Sequence, residues 1–504
     1  MDPALAADVD RRHRIIREAA ARHGLDAVLV CASEYTGFEG AMFYISGFRI
    51  LHRYAYVLLP VEEPPTNIFP GEGRWVGDHS EGWVQDRVFA ETPGKWIAER
   101  MRDRGWKRLG VYGMDLVMTV RDFTALPADK LVRWDEGFDL ARAVKSEYEL
   151  ESVRESMRIN EAGVFAVMRA WRPGLTEADL MAVAEREFVS RGTRRLTMDM
   201  VLTGPDGAAL PEMRLPDEER RVGERDMLIY GLEVAGPRGH WVEFSRPMCA
   251  GEPSEESKRM MEAYGEYHDI CRHAMHAGAT AREVHRAVSK PFLDQGWKLG
   301  HVTGHSIGMT MIEHPRIGEA FDVELREDMV CSMHPHVISA DERTCLYFQD
   351  TWHVRADGAV PFSDAPVEFS RPMCAGEPSD ESKRMMEAYV EYHDICRHAM
   401  RAGATAREVH RAVSKPFLDQ GWKLGHVTGH SIGMTMIEHP RIGEAFDVEL
   451  REDMVCSMHP HVISADERTC LYFQDTWHVQ AEGAVPFSDA PVEFYDPRAV
   501  GEPA

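Results

Sequence analysis

The stretch GHSIGMTMIEHP stands at 304–315 and again, letter for letter, at 429–440. It sets His305, Glu313 and His314 close together, with His301 just ahead in HVTGHSIG. Further on, LREDMVCSMHPHV carries His334 and His336, which two positions apart leave the same face of a strand. Earlier, GHWVEF carries His240 and Glu243. Imidazole titrates near neutral pH and is a common metal ligand. With carboxylates beside it, two chemistries are open. One is proton transfer that activates water and protonates a leaving nitrogen; the other is ligation of a divalent ion at an open site. Each motif also has a plain reading: GHSIG can be a glycine turn around a core histidine, and the methionines of GMTMIEHP can be core.

These residues need elements to hold them, and a repeat search finds the elements. Residues 243–367 recur as 368–492, a period of 125, with differences only at Glu255/Asp380, Gly265/Val390, His276/Arg401, Arg355/Gln480 and Asp357/Glu482. Solenoid repeats are shorter and more diverged, so this is a tandem duplicate, and the functional chain is expected to be one unit shorter. An older repeat lies beneath it. RPGLTEADLMAVAEREFVSRG (172–192) and HAGATAREVHRAVSKPFLDQG (276–296) align without a gap. Each opens on a Thr-x-x-acid helix start and closes on glycine, which predicts a domain of two related halves. Residues 1 to 140 alternate helix and strand, as in RRHRIIREAAARHG before LDAVLVCAS, the α/β pattern of a smaller domain. FDLARAVKSEYELESVRESMRINEAGVFAVMRAW then reads as a connector and a long amphipathic helix.

Composition bounds the rest. A chain of 504 residues, 44% apolar, can bury several cores. No apolar run approaches the roughly 20 residues of a membrane span, and the N-terminus has no signal-peptide core, so a cytoplasmic protein is expected. The nine cysteines show no CxxC pair and read as reduced thiols. A spread net charge of −25 argues against nucleic acid and anionic membrane as partners.

Six segments in order carry a resemblance: AVKSEYELESVR, GPDGAALP, DMLIYGLEVAGPRGHWVEFSRP, HVTGHSIG, LREDMVCSMHPHV and LYFQDTWHV. Through them, residues 1–367 resemble the creatinase and Xaa-Pro aminopeptidase superfamily. The resemblance implies an α/β N-terminal domain (1–140) and an α+β pita-bread catalytic domain of two related halves (141–367). It leaves a near-identical duplicate of the second half (368–492) and a tail (493–504), and it implies a homodimer. Metallopeptidases of this family hold two divalent ions through two aspartates on a hairpin, one histidine and two later glutamates. Carried across, these positions fall on Leu232, Glu243, His305, His334 and Gln349, and the family's proton-transferring histidine falls on Glu212. One carboxylate, two neutral imidazoles and an amide cannot balance two divalent cations, so a standard dinuclear centre is not expected. Glu233, one residue along the strand from Leu232, is expected to face away from the pocket.

Three readings stay open on these residues. The first is a metal-independent, creatinase-like hydrolase that cleaves a C–N bond in a small polar nitrogen compound. There Glu243 or Glu212 orients water while His305 and His334 exchange protons. The second is a mononuclear centre for iron or zinc, made of Glu243, His305 and His334 with Gln349 as a weak fourth ligand, serving a hydrolase or a lyase. The third is a non-catalytic binding pocket, and an Xaa-Pro type metallopeptidase is the remaining alternative. His240, His336, His301, Glu313 and Gln349 are the expected substrate contacts, although His240 equally suits a strand surface, and Asp350 is expected to hold structure. The duplicate repeats Glu368, His430, His459, His461 and Gln474 but has no second version of 150–242. The first copy continues the hairpin unbroken and is therefore expected to complete the fold, the second being an appendage or a swapping element.

Overall fold

Val28, Leu29, Val30 and Cys31 leave no polar face, and the strand they build, Ala27–Ser33, is buried along its whole length. It lies inside a six-stranded sheet whose spatial order is Arg87–Ala90, Thr66–Pro70, Tyr54–Pro60, Ala27–Ser33, Leu109–Tyr112 and Leu131–Arg133. Val28 and Val30 join an apolar cluster with Ile16 and Phe138, while Leu29 and Cys31 join another with Ile97 and Met101. The two faces of one strand thus feed two helix layers, as an α/β pattern requires. The first helix, Pro3–Arg22, starts where Asp2 caps the Ala4 N–H and proline needs no donor of its own.

This computed structural model describes residues 2–33, 39–50, 53–71, 73, 82–193, 195–204, 214–223, 226–249, 253–363, 365, 367, 379–425, 427–432, 438–465 and 469–487. Met1–Phe369 forms one unit and Ser370–Ala504 another.

Within the first unit, Ser146 and Glu149 form a capping box for the helix Glu147–Ala170, which buries Leu150, Val153, Met157, Val164 and Val167. The two aligned segments end as their sequences predict. Thr176 with Asp179 and Thr280 with Glu283 cap the helices Glu177–Ser190 and Ala281–Leu293. The closing glycines Gly192 and Gly296 take φ of 88° and 80°, a left-handed conformation that costs other residues about 1–2 kcal/mol. After the first helix comes the hairpin Met227–Ala235 and Trp241–Phe244, with Arg195–Gly204 on its other side. After the second comes a five-stranded sheet in the order Glu313–Ile317, Gly304–Ser306, Val330–Met333, Asp350–Val354, Ala359–Pro361. Tyr264, Tyr267 and Phe292 pack with Met333, Val337 and Trp352 in its core, each large side chain contributing about 1.5–3 kcal/mol.

The halves join at the hairpin. Ser245 N–H donates to the Gln349 carbonyl at 3.1 Å, and Thr351 Oγ1 accepts from the Glu243 N–H and donates to the Glu243 carbonyl, both at 3.0 Å. The N-terminal helices brace the histidine segment. Arg142 donates to Thr310 Oγ1 at 2.8 Å, and a Cβ on Gly40 would lie 1.6 Å from the Met309 carbonyl oxygen, an approach only glycine permits.

The second unit repeats the pattern by itself. Its helices Asp380–Ala399 and Ala406–Leu418 enclose Met385, Tyr389, Tyr392, Phe417 and Trp477 against a sheet of the same strand order.

Candidate functional site

The hairpin pairs Glu233 directly with Glu243, and opposed residues leave the same face of a sheet. Both side chains are therefore buried side by side, 3% and 1% exposed. His305 from Gly304–Ser306, His334 just past Val330–Met333, and Gln349 just before Asp350–Val354 come alongside. Glu243 Oε1 lies 3.2 Å from His305 Nε2; its Oε2 accepts from Ser332 Oγ at 2.6 Å and Gln349 Nε2 at 3.1 Å. The His305 and His334 rings are 4.9 Å apart. One ligand atom each from Glu243, His305 and His334 lies within 4.8 Å of the other two.

Burial alone would raise the Glu243 carboxyl, but the facing His305 and His334 more than reverse this and hold it at about 2. Burial pushes the His334 imidazole down to about 3, and neither of its ring nitrogens has a hydrogen-bond partner. A buried polar ring left in that state costs about 1–3 kcal/mol. His305 Nδ1 lies 3.0 Å from the Ser306 carbonyl oxygen, which can only accept, so Nδ1 carries a proton. In a neutral His305 the Nε2 lone pair would then face Glu243 Oε1, acceptor against acceptor. That contact requires positive charge: a proton on Nε2 or a cation between the two. Two imidazoles and a carboxylate fit one divalent ion.

The remaining expected residues divide. Glu233 does not face away: Ala235 pairs with Trp241, so the residue opposite Glu243 is Glu233, whereas Leu232 opposes Phe244. Gln349 turns its amide nitrogen, not a ligating oxygen, toward the carboxylates. His240 is neither on a strand surface nor in the pocket; it is 1% exposed, with Nδ1 2.8 Å from Ser152 Oγ beside Glu149. Glu313 is held by Lys145 at 2.9 Å and Arg142 at 3.2 Å, an ion-pair network in place of a substrate contact. The His314 N–H donates to Asp139 Oδ2. His301 lies beside the centre, its ring 5.1 Å from His334, and His336 lies 5.8 Å from both His301 and Tyr347. Burial lowers His336 to about 4. Asp350 pairs with Arg246 at 2.9 Å and serves structure; Met309 is core, 2% exposed. Glu212 and Glu368 lie outside the described residues. In the second unit the His430 and His459 rings are 4.8 Å apart, His461 lies beside Tyr472, and Gln474 Nε2 donates to Ser457 Oγ at 2.9 Å.

Sequence reasoning missed Ser332, Tyr347, Thr351 and the placement of Glu233. Strand alternation was the available signal: Ser332 is two residues before His334, and Tyr347 and Thr351 flank Gln349 by two. Counting strand pairs outward from the GPRG turn would have placed Glu233 opposite Glu243.

The sequence pattern of metallopeptidase family M24 matches residues 151–356 and 362–481. The uncharacterized peptidase YqhT of Bacillus subtilis is 23% identical over 271 residues, 53% of this chain and 73% of that protein. The probable dipeptidase PepE of Mycobacterium tuberculosis is 27% identical over 238 residues, 45% of this chain and 60% of that protein, so the match spans less than two thirds of PepE. The solved prolidase of Pyrococcus horikoshii superposes with a TM-score of 0.61 at 19% identity, covering 71% of this chain and all of that one, a likeness of fold. The family's description as metallopeptidases agrees with a three-residue group able to hold an ion. With the pattern matched over more than half its length, on the two-halved pita-bread fold, the chain belongs to metallopeptidase family M24.

Proposed function

We propose that this hydrolase cleaves a C–N bond in a small, polar nitrogen compound, short peptides included, at a Glu243–His305–His334 centre that holds one divalent ion, iron or zinc. In this reading residues 1–140 form the N-terminal domain, 141–367 the catalytic domain, and 368–492 a duplicate half that lends nothing to the chemistry. The observation that carries it is the buried His334 ring with both nitrogens unpartnered, its ligand atom within 4.8 Å of those of Glu243 and His305. When bound, such an ion lowers the pKa of water and polarises a carbonyl. The chain's own residues do the rest. Ser306 fixes the His305 tautomer, Ser332 and Gln349 orient Glu243, and the wall of His301, His336 and Tyr347 offers imidazole and phenol groups to a polar substrate. The relatives named as dipeptidases make short peptides the first compounds to test.

A second reading is favoured by the 3.2 Å contact of His305 with Glu243: a proton on Nε2 satisfies it without any ion, giving creatinase-like acid–base hydrolysis. Elemental analysis of untagged protein, repeated on His334→Ala, separates the two. About one equivalent of metal, lost in the variant, supports the one-ion centre; none supports the protonated pair. Turnover is read on Xaa-Pro dipeptides, small amides and guanidines. No turnover, with a melting shift on adding one of them, would leave a binding protein instead.

A further inference from the structure

We propose that the Gln349 side-chain amide takes the place of a cation between Glu233 and Glu243 and thereby limits the centre to one ion; the inference rests on the one-ion reading above and deepens it. Two carboxylates directly opposite each other on antiparallel strands repel. Here both are buried, where water screens them little. Gln349 Nε2 lies 3.3 Å from Glu233 Oε1, 3.1 Å from Glu243 Oε2 and 3.2 Å from the Tyr347 hydroxyl. A primary amide has two protons to give, and charged carboxylates are stronger acceptors than a neutral phenol. The reverse orientation would set the amide oxygen against two carboxylates, so the network itself fixes the nitrogen inward. That orientation has a cost, because Gln349 Oε1 is left buried without a partner. The carboxylates must outweigh it.

The backbone is fixed as well. The Gln349 N–H donates to Ser245 Oγ at 2.9 Å, and its carbonyl accepts from the Ser245 N–H. With Ser332 and Gln349 both on Glu243 Oε2, the other oxygen, Oε1, is left to face His305. Gln349 is thus a positioning residue that acts through Glu243. In the duplicate the counterpart of Glu243, Glu368, lies outside the described residues. Gln474, with no described carboxylate beside it, donates to Ser457 Oγ, whereas the counterpart of that serine, Ser332, is given to Glu243.

The test is Gln349→Glu, which replaces two donors with a third carboxylate of the same shape. After dialysis against MnCl2, metal content is expected to rise from about one to about two ions per chain. In EDTA the variant is expected to melt below wild type and to recover on adding MnCl2. Equal metal content and equal melting of variant and wild type would overturn the proposal. A second variant, Glu233→Gln, removes one of the two charges the amide serves. It is expected to melt higher in EDTA with its ion content unchanged; loss of the ion would make Glu233 a ligand and overturn the proposal. A wild type without any ion, beside a Gln349→Glu variant that takes one up, sinks the one-ion reading and sustains this one.

Discussion

Residues 255–362 and 380–487 are nearly one sequence in two settings, and they differ on one face. Trp352 and Trp477 are both fully buried, as are Tyr267 and Tyr392. By contrast Cys345 is buried and Cys470 exposed, Gln349 is fully buried and Gln474 only partly, and Phe362 is half-buried where Phe487 is 66% exposed. The half therefore builds its own core without help. What it does not build alone is the sheet face that in the first unit lies against the Glu233–Glu243 hairpin. Among the described residues, the histidines and glutamine meet carboxylates where that hairpin places Glu233 and Glu243 beside them.

The sharpest way to break this comparison is to remove the histidines from each copy in turn. His305→Ala with His334→Ala is expected to lower kcat/KM on the panel substrate by about 10²–10⁴-fold, the range of a lost acid–base or ligand group. His430→Ala with His459→Ala is expected to leave it unchanged. A fall in the second pair would show that the duplicate does chemistry.

Next in size is the core. Trp352→Ala and Trp477→Ala each empty a site with no exposed surface, at about 3–5 kcal/mol. In differential scanning calorimetry followed by limited proteolysis, Trp477→Ala is expected to expose only 380–486, while Trp352→Ala exposes the first unit and abolishes turnover. Cleavage spreading from one unit to the other in either variant would mean that the halves are not independently folded.

How much of this was legible in the sequence depends on distance along the chain. The helix caps at Thr176 and Thr280 and the glycine stops at Gly192 and Gly296 are local signals, and they read correctly. His305 and His334 were also readable, because motif order carried them. The hairpin was not. Its spacing of Leu232 to Glu243 came from a family pattern, while the pairing is set by the local turn, which puts Glu233 opposite Glu243. The place of Glu313 was hidden for a different reason: Lys145 and Arg142, which hold it, are 168 and 171 positions away in sequence and meet it only when the chain folds.

Acid should separate the two units more gently. Burial, helped by Arg12 and Lys145, holds His240 well below 6.5, so the folded ring stays neutral where the unfolded one takes up a proton. A lowered folded pKa contributes stability that is present above about 6.5 and is lost as pH falls below it, at up to about 1.4 kcal/mol per pH unit. The duplicate has no counterpart of His240. Melting of the first unit is accordingly expected to drop between pH 7.5 and 5.5 more in wild type than in His240→Asn. Parallel slopes in the two proteins would locate the acid sensitivity elsewhere.

The smallest effect is the one in which the two copies should agree. Thr280 and Thr405 cap identical helices, each accepting from the N–H of the glutamate three residues on, Glu283 or Glu408, at 3.2 Å. Both caps lie away from the face that the hairpin covers in the first unit, so the setting should not matter to them. Thr280→Ala and Thr405→Ala are each expected to cost about 1 kcal/mol, read as faster amide exchange in Ala281–Leu293 and Ala406–Leu418 respectively. Equal costs would confine the difference between the copies to the face that bears the site. Unequal costs would mean that the missing hairpin loosens the second half as far as its helix ends, and the duplicate would then be a weaker version of the first copy throughout.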